Sequence, residues 1–217
     1  MDLYEKGEQL YLAGNFEKAK KCFQIICKNK TDNSALNYLA CCDIQLGYLD
    51  EAKKILDDLI KRTEWERPLF NLGRVYLIQN NFTDAKKCFE QAVLKNPNNG
   101  DCYFYLGLYY YKTGNLAKAI GAYQKALCLV AQDAETHLNL AVCYYKERQY
   151  PLALRHFKEA FQLDPFMLEA KYYQAKCLIK LKNYRKACRI LLDLKKQGEG
   201  IENIDADIAY CLARLKA

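Results

Sequence analysis

The sequence predicts an all-α protein built from repeated helix pairs, and three observations lead to that prediction. Hydrophobic residues make up 51% of the 217 residues, which suffices to fold a chain with a net charge of +7. Only 10 glycines and 4 prolines are present, too few for the many tight turns of an all-β protein. The third observation is an internal repeat of 33 or 34 residues.

Two columns of small residues define this repeat. An alanine recurs at Ala19, Ala52, Ala85, Ala119, Ala153 and Ala187. A second small residue stands twelve positions before each of them, at Gly7, Ala40, Gly73, Gly107, Ala141 and Ala175, and the column continues at Ala209. The fixed offset predicts that each repeat holds two helices packed closely through these small residues.

The segments that carry the two columns are amphipathic. In the fourth repeat, Leu106 and Tyr110 have the four-residue spacing of one helix face, and Ala119 and Tyr123 repeat it on the next segment. Gly114 lies between the two segments, and glycine readily adopts the left-handed conformation that ends a helix. Each repeat is therefore predicted to be a helix, a turn and a second helix.

We predict six such repeats and a capping helix within a single domain of residues 1–217. The repeats are expected at residues 1–33, 34–66, 67–99, 100–133, 134–167 and 168–201, and the capping helix at 203–216. In that last helix, Ile208, Ala209 and Leu212 continue the first-helix pattern. Its charged residues are expected to keep the outer side in water, as a solenoid end requires: Asp205, Asp207, Arg214 and Lys216.

This pattern resembles the tetratricopeptide repeat, which asks for Leu-Gly, Tyr, Ala, an aromatic, Ala and Pro at fixed positions. The third repeat supplies Leu72, Gly73, Tyr76, Ala85, Phe89, Ala92 and Pro97. The fifth repeat supplies Leu140, Ala141, Tyr144, Ala153, Phe157, Ala160 and Pro165. The second repeat departs from the pattern, with Asp43 in place of the tyrosine. The resemblance implies an α-α superhelix, a solenoid that serves as a protein-interaction scaffold.

The 11 cysteines are interpreted as packing residues. Cys42, Cys143, Cys177 and Cys211 share one small-residue position of the repeat, and cysteine packs as a small hydrophobe. No Cys-x-x-Cys pair is present, so no metal site is predicted, and no cofactor is expected. The chain also lacks a Gly-x-Ser-x-Gly, phosphate-loop or His-Glu-x-x-His motif, so it is predicted not to be an enzyme.

The resemblance implies that the first helix of each pair lines a concave groove, and it identifies the residues that face it. The predicted peptide-binding residues are Phe70, Arg74, Leu77, Phe104, Leu108, Tyr111, Lys112, Val142, Tyr145, Lys146, Tyr172 and Lys176. Aromatic anchors with a basic edge favour a peptide or helix that carries apolar side chains and carboxylates. The alternative is that individual aromatic residues pack against the next repeat.

A second predicted surface is basic and lies on the convex side. It consists of three lysine pairs that follow the alanine column: Lys20 and Lys21, Lys53 and Lys54, and Lys86 and Lys87. Such lysines commonly serve solubility alone, and the alternative is peripheral contact with an anionic membrane or an acidic partner. A pI near 8.7 is lower than nucleic-acid binding requires, so an RNA-binding role ranks last.

The first repeat has no helix before it, which predicts self-assembly through Leu3, Tyr4, Leu10 and Tyr11. Its first helix resembles that of the magnetosome-associated tetratricopeptide repeat proteins, and this resemblance implies a homo-oligomer that coats an organelle membrane. A monomeric peptide-binding adaptor or assembly factor is the alternative. Since the N-terminus lacks a secretory leader pattern and no apolar run reaches the ~20 residues of a membrane span, the expected location is cytoplasmic.

Overall fold

The computed structural model describes residues 2–29, 32–197 and 203–216, and every regular element in them is an α-helix. The first seven helices are α1 (Leu3–Leu12), α2 (Phe16–Asn29), α3 (Asn33–Leu46), α4 (Leu49–Arg62), α5 (Glu66–Ile78), α6 (Phe82–Lys95) and α7 (Gly100–Lys112). The remainder are α8 (Leu116–Leu129), α9 (Ala134–Lys146), α10 (Tyr150–Leu163), α11 (Leu168–Lys180), α12 (Tyr184–Lys196) and α13 (Ile204–Lys216). The predicted all-α class of helix pairs is confirmed for these residues.

Two compact units divide the chain, unit 1 at residues 1–109 and unit 2 at residues 110–217. The boundary falls inside α7. Within each unit, consecutive helices pack against one another, so neighbours in sequence are neighbours in space. The predicted end of repeat six, at residue 201, lies outside the described residues.

The alanine column forms the centre of each helix pair, since Ala19, Ala85 and Ala153 are 0% exposed. The small residues of the other column meet an aromatic ring rather than an alanine. A β-carbon on Gly73 would lie 2.5 Å from Cε1 of Phe89, and one on Gly7 would lie 2.8 Å from Cζ of Phe23. The small residues of the first helix therefore make room for an aromatic ring of the second helix. The predicted close packing of the two helices involves this ring, and not a contact between two small residues.

Local sequence signals explain where the helices begin and end. Gly114 has φ of +80°, so the predicted left-handed turn is confirmed. The next residue, Asn115, caps α8 by accepting a hydrogen bond from the backbone N–H of Lys118 at 3.1 Å. Asn183 caps α12 in the same way.

Nine of the eleven cysteines are buried, as packing residues should be. Cys42, Cys143 and Cys177 are each 0% exposed inside helix pairs. Burial raises the pKa of Cys42 to about 12 and that of Cys143 to about 11, so these thiols stay protonated at neutral pH. The described residues contain no group of three or more potential metal ligands.

Within the described part of the chain, no helix combines the length and the apolar character that a bilayer span requires.

Candidate peptide-binding site

Unit 1 holds a cluster of polar and aromatic side chains around Arg74, here called the Arg74 cluster: Asn37, Phe70, Asn71, Arg74 and Tyr105. The guanidinium of Arg74 on α5 lies 5.8 Å from the ring centre of Phe70 and 5.4 Å from that of Tyr105. Both distances lie within the range of cation–π attraction. The two rings thus hold the guanidinium in one place on the first-helix face.

A buried pair of amides fixes the other side of the cluster. The side-chain amide of Asn71 donates to the side-chain oxygen of Asn37 at 3.0 Å, and both residues are buried. The side-chain oxygen of Asn71 accepts a hydrogen bond from Nη1 of Arg74 at 3.1 Å. Because Asn37 lies on α3 and Asn71 on α5, two first helices together orient one cation.

The positive charge of Arg74 is not neutralised by a carboxylate of the described residues. Among residues 2–29, 32–197 and 203–216, no carboxylate forms an ion pair with it. Burial lowers the pKa of this guanidinium, yet Tyr105, Cys41 and Tyr11 outweigh burial and raise the pKa above its ordinary value. A half-buried guanidinium that stays charged and lacks a carboxylate is well suited to bind an external one.

Unit 2 presents its own basic residue beside aromatic rings, Lys176 on α11. Nζ of Lys176 lies 5.7 Å from the ring centre of Tyr172. It also donates to both carboxylate oxygens of Asp207, at 3.1 and 3.2 Å, and the hydroxyl of Tyr172 donates to the same carboxylate at 2.7 Å. Burial and this hydrogen bond raise the pKa of Tyr172. The predicted binding lysine is therefore already neutralised by α13.

Other predicted residues of unit 2 form an aromatic patch. Nζ of Lys146 lies 4.3 Å from the ring centre of Tyr111. Tyr145 packs edge-on between Tyr150, at 5.5 Å, and Tyr173, at 5.7 Å. These tyrosines are half-buried, so each offers part of its ring to a ligand and part to its neighbours.

The remaining predicted groove residues differ in exposure. Leu77 and Phe104 are buried, at 4% and 9% exposure, so they support the surface from beneath. Leu108 and Val142 are half-buried, and Lys112 is exposed.

Sequence reasoning missed six residues of these sites: Asn37, Asn71, Tyr105, Tyr150, Tyr173 and Asp207. Asn71 and Tyr105 occupy one equivalent position of consecutive repeats, next to positions that the resemblance identified. Asn37 and Asn71 lie 34 residues apart where the repeat step from Ala40 to Gly73 is 33, so they occupy neighbouring rather than equivalent repeat positions, and the repeat gives no signal for the amide pair. Asp207 could not have been found from the repeat either, because it was assigned to the wet side of the capping helix.

The three lysine pairs divide into half-buried and exposed members. Lys20 lies 2.7 Å from the buried carboxylate of Asp43, Lys53 lies 5.1 Å from the ring centre of Tyr76, and Lys86 lies 3.3 Å from Glu90. The second member of each pair is exposed: Lys21, Lys54 and Lys87.

The predicted self-assembly residues lie mainly inside unit 1. Tyr4 and Tyr11 each make an edge contact with the ring of Tyr38, at 5.9 and 5.7 Å. Leu10 packs against the same buried cluster, and Leu3 is half-buried. The apolar residue of α1 that faces solvent is Leu12, which is 84% exposed.

With twelve helices in six successive pairs and a thirteenth helix after them, the described residues define an all-α helical-repeat protein. Residues 70–136 match the family model of the tetratricopeptide repeat, and residues 112–194 match that of anaphase-promoting complex, cyclosome, subunit 3. Residues 70–136 therefore carry the tetratricopeptide repeat signature. No curated protein matches the chain.

Solved structures share this fold at low sequence identity. A thermophilic tetratricopeptide repeat protein of Thermus thermophilus is 24% identical, with 82% of this chain and 97% of that chain covered and a TM-score of 0.72. PilF of Pseudomonas aeruginosa is 19% identical, with 97% and 95% covered and a TM-score of 0.80. MamA is 20% identical, with 78% and 98% covered and a TM-score of 0.59. These similarities show the fold.

Proposed function

We propose that this chain is a non-enzymatic cytoplasmic scaffold whose unit 1 binds an acidic peptide segment at the Arg74 cluster. The observation that carries the proposal is the charge of Arg74, which two aromatic rings and a buried amide position but no carboxylate of the described residues neutralises. Tetratricopeptide repeat proteins bind protein partners, and this site would favour partners that carry a carboxylate.

The chemistry of the site specifies the ligand. A carboxylate can accept two parallel hydrogen bonds from a guanidinium, and a single hydrogen bond to a charged group contributes about 1.5–3 kcal/mol. The half-buried rings of Phe70 and Tyr105 offer apolar contact beside it. The proposed ligand therefore carries an aspartate, a glutamate or a chain-terminal carboxylate next to an apolar anchor.

A peptide-display selection tests this proposal. Random peptides of about twelve residues are selected on the immobilised protein and on the Arg74→Gln variant, both carrying Arg185→Glu and Arg189→Glu so that the exposed arginines of α12 do not capture acidic peptides. The wild-type protein should enrich peptides that combine Asp or Glu with aromatic or aliphatic residues, and the variant should not. The control is Lys176→Gln, which alters a cation that Asp207 already neutralises.

Enrichment of the same acidic peptides by wild type and Arg74→Gln would refute the site. Loss of enrichment in Lys176→Gln but not in Arg74→Gln would move it to unit 2. Thermal unfolding of both variants checks that a loss of binding is not a loss of structure.

A second candidate function is self-assembly into a homo-oligomer that coats an anionic organelle membrane, as in a magnetosome. The exposure of Leu12 on α1 and of Lys21, Lys54 and Lys87 supports it. Removal of residues 1–30 should leave a monomer by light scattering, and Leu12→Glu should reduce the assembly in the same way. An unchanged mass in both proteins would eliminate this candidate.

A further inference from the structure

Among the described residues, no helix covers the face of α13 whose counterpart on the earlier first helices is covered by a second helix. Ala209 and Leu212 on α13 occupy the repeat positions at which a first helix packs on its second helix. Their counterparts Ala175 and Leu178 on α11 are 0% and 7% exposed, because α12 packs on them. Leu212 is 45% exposed, and Ala209 is exposed as well.

A groove lies beside this face, between α12 and α13. It encloses a surface pocket of about 400 Å³, and Cys188, Leu192 and Leu215 contribute its apolar lining. Leu192 and Leu215 are 43% and 46% exposed. Exposed leucines on two adjacent helices form an apolar surface of the kind that binds an amphipathic helix.

The rim of the groove is basic. Arg185, Arg189 and Lys196 line the same pocket, and none of the three makes a hydrogen bond or ion pair with another described residue. The one acidic residue of the lining, Asp193, is paired with Lys171 at 2.5 Å. Three cations beside an apolar floor complement an acidic occupant.

We propose that the groove between α12 and α13 binds an acidic amphipathic helix of a partner protein. This helix lies where the second helix of a pair would lie, with its apolar side on Leu212 and Leu215 and its carboxylates toward Arg185 and Arg189. An aromatic residue of the partner packs over Ala209, as the ring of Phe89 packs over Gly73 within unit 1. The site is separate from the Arg74 cluster and does not depend on it.

The charges argue for a partner helix rather than a second copy of α13. The acidic residues of α13 are Asp205 and Asp207, and its basic residues are Arg214 and Lys216, so the helix is electrically balanced. Asp207 is engaged with Lys176, and Asp205 with Lys195 at 2.6 Å. A second α13 would therefore leave the basic rim without compensation.

The probe for this proposal is a blocked, fluorescent peptide with the sequence of α6, a second helix that already packs on a first helix in this protein. The acidic probe carries Lys86→Glu, Lys87→Glu, Lys95→Glu and Cys88→Ser, and the basic probe carries Cys88→Ser alone. Fluorescence anisotropy should show saturable binding of the acidic probe below about 100 µM and at least about tenfold weaker binding of the basic probe. The acidic probe with Phe89→Ala should also bind at least about tenfold more weakly.

Protein variants locate the binding site. Arg185→Glu combined with Arg189→Glu, and separately Leu212→Glu, should each weaken binding of the acidic probe at least about tenfold. The matched control, Lys18→Glu with Lys28→Glu on α2, reverses two exposed lysine charges elsewhere and should leave binding unchanged. Thermal unfolding confirms that the exposed substitutions leave the fold intact.

Several results would overturn the proposal. Equal binding of the acidic and basic probes, or no saturable binding of the acidic probe, would remove the charge argument. A dimer in the wild-type protein that Leu212→Glu converts to a monomer would assign the groove to a second copy. Binding to phosphatidylserine vesicles that Arg185→Glu with Arg189→Glu abolishes, without any binding of the acidic probe, would assign it to a lipid surface.

Discussion

Unit 1 and unit 2 each hold a basic side chain beside aromatic rings on a first helix, but they treat its charge differently. Arg74 of unit 1 receives two rings and an amide oxygen. Lys176 of unit 2 receives one ring and the carboxylate of Asp207. The comparison teaches that equivalent faces of a repeat can present different charges, because an internal carboxylate neutralises the cation of unit 2 and no carboxylate of the described residues pairs with that of unit 1.

Each unit also contains a lysine–aspartate pair, and the two pairs differ in burial. The side chain of Asp43 is 4% exposed where it meets Lys20, whereas that of Asp207 is 16% exposed. We expect Lys20→Met to lower the free energy of unfolding by about 3 kcal/mol, because it leaves a buried carboxylate unpaired. The matched Lys176→Met should cost only about 1 kcal/mol, since water reaches that pair.

Urea unfolding of the two variants measures this difference. Equal losses would mean that burial does not distinguish the pairs. A gain in stability for Lys20→Met would mean that Asp43 is protonated in the folded protein.

Acid should destabilise unit 2 through a histidine pair that unit 1 lacks. Nδ1 of His156 lies 3.0 Å from Nδ1 of His137, and the ring of His156 stacks on Tyr144 at 5.6 Å. Burial, with the neighbouring His137 and Arg155, lowers the pKa of His156 from 6.5 to about 4. Because the unfolded chain takes up the proton first, the contribution is present above pH 6.5 and is lost as the pH falls toward 4.

The expected loss is about 2 kcal/mol across that window, less than the full shift implies because the imidazole is only half-buried. Unfolding free energies between pH 7 and pH 4.5 measure it, and His156→Gln should remove most of the slope. A slope that survives His156→Gln unchanged would locate the acid sensitivity elsewhere.

The difference between the units can be removed by one substitution in unit 2. Asp207→Asn takes away the charge that neutralises Lys176 while leaving an oxygen to accept the hydroxyl of Tyr172. We expect a loss of about 1 kcal/mol in stability and the appearance of a second site for acidic peptides. In proteins that also carry Arg185→Glu and Arg189→Glu, which disable the groove between α12 and α13, calorimetric stoichiometry should then rise from one peptide per chain toward two. A constant stoichiometry would show that a free cation alone does not make a site.

The columns of small residues were sufficient to predict the helix pairs, because repeat packing demands a small residue wherever an aromatic ring approaches. The resemblance to the tetratricopeptide repeat is what placed Arg74 on a first-helix face. The sequence did not reveal that Asp207 would neutralise Lys176, since that contact joins α13 to α11 through side-chain geometry rather than repeat spacing. Likewise, Lys20 and Lys21 are neighbours in sequence, yet only Lys20 turns inward to Asp43.

The most direct test of the Arg74 site is calorimetric titration of one acidic peptide, chosen by display on the wild-type protein, into three proteins. Arg74→Gln should weaken binding at least about tenfold relative to wild type, because the carboxylate loses its charged donor. Lys176→Gln should bind as wild type does, since its cation was never available. Equal affinity for Arg74→Gln and wild type would contradict the account.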